Sequence, residues 1–244
     1  MENETKIKKD FTLSTSILIS AIILAGTWAY TARPKVTNAP QKEMAVAVSA
    51  LEEKVLPSEG VVLPVIWGNL GSKLVSVGAI DADEFKAIYE QRSVFTDEYK
   101  NLLFGQNDGK LKITKDNAGY VLNLFWALGL ASKNPILDSG EMKNPAYGGA
   151  QKFASTGGWT IAKGDPMDHY SRHMFFALTP EQQILVDKIS RGIYRPCCDN
   201  STHFPDCNHG MAMLGLLELM ASQGVSEKEM YKTALQVNAY WFPD

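Results

Sequence analysis

The chain has 244 residues, enough for one domain or two small ones, with a core large enough not to depend on disulfides. Hydrophobic residues make up 45% and charged residues 21%, an ordinary globular balance. The net charge is −3 and no Lys/Arg stripe is interleaved with aromatics, which excludes nucleic acid as the expected partner.

Residues 1–10 are polar, include Lys6, Lys8 and Lys9, and are expected as a short cytoplasmic tail. Residues 11–32 carry no charge, and Ile17 to Leu24 is nearly all aliphatic. As a helix this run spans about 33 Å, enough for a bilayer core. Trp28 and Tyr30 stand where an interfacial aromatic belt belongs, and Arg33, Pro34 and Lys35 end the segment. It reads as a transmembrane anchor. The rival reading, a cleaved signal peptide, fits the basic start but puts Tyr30 where a small residue is wanted, and no Cys follows for lipoprotein processing. Lys/Arg counts on the two flanks tie. A ten-residue tail stays inside most easily, so the chain is expected at the cell membrane, single-pass, with its bulk extracytoplasmic.

Residues 33–60 are expected as a linker with one short helix at 42–54; Pro57, Gly60 and Pro64 break the pattern. A helical half follows over 61–135. Val65, Ile66, Leu70, Leu74 and Val77 predict a helix at 65–77. Asp81 with Glu84 starts 82–92, Thr96 opens another to about Leu103, and 115–132 is an apolar core helix. Residues 136–165 form a long Gly-rich loop, with Gly140, Gly148, Gly149, Gly157, Gly158 and Gly164. It is either a functional loop or an irregular connection between two helical halves.

Residues 166–244 make the last module. Asp165-Pro166 predicts a helix at 166–177 and Thr179-Pro180 another at 180–193. The apolar run 208–223 ends at Gly224, and Ser226 with Glu229 caps 227–241, so the last pair is an αα-hairpin. No alternating strand pattern stands out. The expected fold is all-α: an N-terminal transmembrane helix, then a multi-helix globular domain.

The chemistry concentrates in this module. All three cysteines and all four histidines lie within 41 residues: His169, His173, Cys197, Cys198, His203, Cys207 and His209. These residue types make metal and redox sites. His169 and His173, four apart on a predicted helix, would project from one face. Cys197 to His209 is a loop between helices that Asn200, Ser201 and Pro205 let turn sharply. Cys207 and His209 begin the 208–223 helix, whose positive end favours a thiolate. Thiolate and imidazole donors suit zinc or copper, and Cu(I) also favours methionine. Met211 and Met213 are equally readable as ligands or core; Met174 and Met220 read as gap-fillers. Asp168 or Asp206 could orient a ligating histidine, although a cap or turn role suits both.

A disulfide between Cys207 and Cys197 or Cys198 is the rival, but it leaves one thiol over and does not account for the histidines. The chain lacks Cys-x-x-Cys, Gly-x-Ser-x-Gly, His-Glu-x-x-His and a P-loop, so a conventional enzyme is not expected. The alternatives to a zinc or copper protein are a thiol-disulfide redox protein and a helical interaction module stapled by a disulfide or a metal.

Pro196-Cys197-Cys198, then His203, then Asp206-Cys207, set between two helices, resembles the bacterial PCYCF-motif proteins over roughly residues 180–240. The first cysteines are adjacent here rather than separated by one residue, and Asn208 stands where the family has phenylalanine. The resemblance implies a Cys-rich module, secreted or membrane-attached, of unsettled biochemical role.

Overall fold

A computed structural model describes Thr27 and residues 49–242. The expected anchor at 11–32 lies outside the described residues apart from Thr27. Among the described residues no helix is long and apolar enough to cross a membrane. Residues 49–55 are helical, overlapping the short helix expected at 42–54.

The fold is mostly helical, but the all-α expectation needs correcting at 61–113. Val61–Gly68 is a strand, β1, and Asn107–Ile113 a second, β2, paired antiparallel with Val61 facing Ile113 and Ile66 facing Lys110. Leu63, Val65 and Trp67 are buried, while Val62 and Ile66 are exposed. That alternation is invisible in the sequence because both faces of the strand are apolar. The turn into β1 needs Gly60: its φ is +85° and a Cβ there would lie 2.4 Å from the Ile113 carbonyl oxygen. The Gln223 side chain covers the backbone of Ile66, accepting from its N–H at 2.8 Å and donating to its carbonyl at 2.7 Å. A side-chain amide there does what a third strand would do for an open edge.

Of the helix expected at 65–77, Leu70–Ser76 forms, α1. Ala82–Glu90, α2, starts at Asp81, whose carboxylate accepts from the backbone N–H groups of Asp83 and Glu84. Asp97–Phe104, α3, starts at Thr96, whose hydroxyl accepts from Tyr99 N–H. Ala118–Ala131, α4, follows β2. The Gly-rich segment begins with a short helix, Pro135–Ser139, α5, and continues through single 3-10 turns at Glu141–Lys143, Pro145–Tyr147 and Ala150–Lys152. It is pinned to the body: Trp159 Nε1 donates to the Ala79 carbonyl and Trp126 Nε1 to the Ser155 carbonyl.

The helix expected at 166–177 does not form. Asp165 caps one 3-10 turn, Pro166–Asp168, after which Ser171 takes a φ of +51° and the chain runs irregularly to Thr179. Pro180–Gly192, α6, opens with a reciprocal capping box between Thr179 and Gln182. Asn208–Ser222, α7, is buried from Gly210 to Ala221. Glu227–Trp241, α8, is capped by Ser226 and completes the terminal hairpin.

The axis of the core is the contact between α4 and α7. Two glycines set it: a Cβ on Gly129 would lie 1.9 Å from the Met211 carbonyl oxygen, and one on Gly215 would lie 2.7 Å from the Gly129 nitrogen. Around this crossing one apolar cluster runs from Leu63 to Trp241. Burying α7 on all sides fixes its N-terminus, and the cysteine loop enters there.

Candidate metal centre

The loop between α6 and α7 is shaped by its own backbone before any side chain acts. Tyr194 and Ser201 form an antiparallel bridge, and Arg195 N–H donates to the Asn200 carbonyl at 3.2 Å. The tight connection between them carries Cys197 and Cys198, and Asp199 closes it at φ +54°. Asp and Asn residues tolerate this left-handed conformation better than most. Cys207 then serves as the N-cap of α7, its Sγ accepting from Gly210 N–H at 3.4 Å.

The result is a triangle of sulfur atoms. Cys197 and Cys198 lie 3.3 Å apart, Cys197 and Cys207 3.6 Å, and Cys198 and Cys207 3.8 Å. A tetrahedral ion with bonds of about 2.3 Å to sulfur holds its thiolates roughly 3.8 Å apart. His209 has a ring nitrogen within 4.8 Å of the Cys197 and Cys207 sulfurs, and Asp206 has a carboxylate oxygen within the same distance of those of Cys198 and Cys207. The thiols are unbridged.

Arg195 holds the triangle in place. Its side chain is fully buried and surrounded by loop acceptors. Nε donates to the Asn200 carbonyl at 3.1 Å, and Nη2 donates to the carbonyls of Ser201 and Phe204 at 3.2 and 2.9 Å. Nη1 donates to Cys207 Sγ at 3.0 Å and forms an ion pair with Asp206 Oδ1 at 2.9 Å. That last contact is electrostatic rather than an aligned hydrogen bond, and Oδ1 accepts none. Asp206 Oδ2 accepts from Asn200 Nδ2 at 2.9 Å. Gly210 makes room for this packing: a Cβ there would lie 2.0 Å from Arg195 Nη1.

His209 is oriented by the far end of α8. The carbonyl of Trp241 accepts a hydrogen bond from its ring, and the Phe242 ring lies 4.1 Å away, centroid to centroid. Burial lowers its pKa, the nearby Arg195 charge lowers it further, and the Trp241 bond opposes both. A ring biased toward its neutral form can offer one nitrogen to an ion while the other faces the Trp241 carbonyl. That is the arrangement ligating histidines ordinarily adopt. Cys197 is the exposed corner of the site. Burial of its sulfur, and the hydrogen bonds to Cys198 and Cys207, push its thiol up to about 12.

The other three histidines stand apart from this group. With the 166–177 helix absent, His169 and His173 do not share a helical face. Their rings meet at a turn, His169 Nδ1 and His173 Nε2 being 3.1 Å apart, and His169 Nε2 lies 3.0 Å from the Lys163 carbonyl. The carbonyl can only accept, so His169 Nε2 carries a proton. Burial lowers the His173 pKa, and His169 and Arg172 lower it further. Lys133 N–H donates to the His173 carbonyl, placing the pair near the α4–α5 connection. His203 turns the opposite way, to α6, where Nε2 contacts Asp187 Oδ1 at 2.8 Å. None of these three belongs to a group of three or more His, Cys, Asp or Glu ligand atoms that converge within 4.8 Å. Met211, Met213 and Met220 are fully buried in the core and Met174 is exposed.

Arg195 went unflagged in the sequence, where a single arginine carries no pattern. Asp206 stood out only as a turn residue or an orienting group. The chain matches no protein family, no curated protein and no solved structure.

Proposed function

We propose that this protein binds one thiophilic ion, zinc or cuprous copper, through Cys197, Cys198 and Cys207, with His209 as fourth ligand and Asp206 as the alternative. The observation that carries the reading is the sulfur triangle, with sides of 3.3–3.8 Å, and an oriented imidazole at its edge. Closing the shell requires the sulfurs to spread by a few tenths of an ångström and the His209 ring to move inward. Three thiolates around a divalent ion leave one net negative charge, and the Arg195 guanidinium touching Cys207 offsets it. Because Cys197 is exposed, a ligand from outside can reach the ion, which suits exchange or carriage at the cell envelope better than a sealed structural site.

The reading extends to location. We propose that residues 11–32 anchor the chain and that the site faces the extracytoplasmic side; the uncharged run and its aromatic end support this. Partition of the full chain into detergent, lost on deletion of residues 1–35, is the expected behaviour.

The test of the centre is titration of reduced protein with Co2+ and with Cu+. One equivalent of Co2+ should give thiolate-to-metal charge-transfer absorption, and metal analysis should return one ion per chain. Failure of reduced protein to retain any ion sinks the proposal. A redox role for the same thiols is the competing reading. The accessible thiol, Cys197, is held protonated, whereas redox nucleophiles have depressed pKa values. Rapid alkylation at pH 6 would reverse that preference.

A further inference from the structure

The middle of α7 carries one charge-bearing residue, Glu218, among leucines, methionines and alanines, and it is 1% exposed. A carboxylate in such surroundings costs several kcal/mol unless it is paired. Its hydrogen-bond partner is neutral: Asn134 Nδ2 donates to Oε1 at 2.5 Å. The Asn134 amide is fixed in this sense, because its Oδ1 already accepts from Ile136 N–H and from Gln183 Nε2. Oε2 has no hydrogen-bond partner. Lys133, which lies between Ser132 and Asn134 in the chain, is paired with Asp138 at 2.8 Å.

Glu218 also lines a cavity of about 420 Å³, within the range of small-molecule sites. Pro135, Phe176, Ala177 and Leu178 supply apolar walls, and Lys133 and Gln183 stand among its polar groups. The cavity thus sets an apolar body beside the buried Glu218 carboxyl. We propose that it is a binding site for a small organic cation with an apolar tail, an alkylammonium, whose N–H groups meet Glu218 Oε2 while the tail packs against Phe176 and Leu178.

Charge complementarity selects this class. Asn134 Nδ2 donates to Oε1, which leaves Oε2 for an incoming donor. A second anion would meet that carboxyl head-on. A neutral apolar molecule would fill the walls but leave Oε2 unsatisfied. An ammonium supplies both the donor and the counter-charge. The site is independent of the metal centre: Glu218 lies eleven residues beyond Cys207, roughly 16 Å along the helix.

The experiment is calorimetric titration of the purified full chain, in amine-free buffer at pH 8, with n-butylammonium, n-butanol and butyrate. Butylammonium should bind in roughly the millimolar range, as five heavy atoms allow, at least about tenfold tighter than butanol, with butyrate silent. Glu218→Gln should abolish the preference for the amine over the alcohol. Ala177→Trp, an exposed position at the cavity wall, should block all binding while leaving the thermal midpoint and cobalt titration intact, which covers the case in which Glu218→Gln fails to fold. Equal affinity for the three probes, no heat from butylammonium up to tens of millimolar, or an amine preference that persists in Ala177→Trp overturns the proposal.

Discussion

Replacing Glu218 with glutamine should remove a loss of stability that the parent chain suffers as pH rises from 5 to 8. Burial without a counter-charge pushes the carboxyl from its ordinary 4.5 to about 8, against the donors Ser132 and Asn134, which favour the ionised form. In the unfolded chain the same group titrates near its ordinary value. Between these two values the folded state holds a proton that the unfolded state has lost. The folded chain binds more protons, so stability falls as pH rises, and the contribution present below about pH 4.5 is gone above about pH 8. Each unit of displacement corresponds to about 1.4 kcal/mol, so the loss between pH 5 and pH 8 is roughly 3–4 kcal/mol. Glutamine keeps an oxygen for Asn134 and has no proton to lose. The assay is urea denaturation of parent and E218Q at pH 5, 6.5 and 8, under reducing, metal-free and amine-free conditions. Other titrating groups cancel in the difference between the two proteins. A difference that stays flat to within about 0.5 kcal/mol, or that favours the parent as pH rises, refutes the reasoning.

Removing the guanidinium by Arg195→Met takes the side-chain donor from three loop carbonyls and the counter-charge from the buried face of Asp206, and should cost about 3–5 kcal/mol by urea titration. A cost below about 1 kcal/mol would mean that the loop is held by something else. Gly129→Ala forces a methyl to 1.9 Å from the Met211 carbonyl oxygen and should lower stability by at least about 2 kcal/mol on thermal denaturation; an unchanged midpoint would contradict the close crossing. His209→Ala should weaken zinc binding by about 10- to 100-fold in a chelator competition, whereas His169→Ala should leave affinity unchanged; equal losses would move the site. Gln223→Ala exposes the Ile66 backbone and should raise amide hydrogen exchange there without disturbing metal affinity.

What the sequence made legible was local. The caps at Asp81, Thr96, Thr179 and Ser226 predict their helices because each places a side-chain oxygen over the first free N–H groups, an interaction written within four residues. The cysteine trio and His209 were legible for the same reason: short chain separation allows few ways to keep them apart. What escaped depends on distant partners. β1 has no visible period, and its identity comes from β2, more than forty residues later. The His169–His173 pair assumed a helix that Ser171 breaks, and the signal for that break is a backbone angle rather than a residue type. Arg195 becomes informative only once Asp206, Cys207 and Gly210 are folded around it.

In small zinc modules the ion itself closes the loop, so stripping the metal unfolds the chain. Here a permanently charged side chain already performs that closure from beneath, and a hydrophobic helix anchors the other end. Loading and unloading should therefore leave far-ultraviolet circular dichroism almost untouched. If the proposed ion binds there, a loop closed in this way would take it up and release it to a stronger chelator without a refolding step limiting either event.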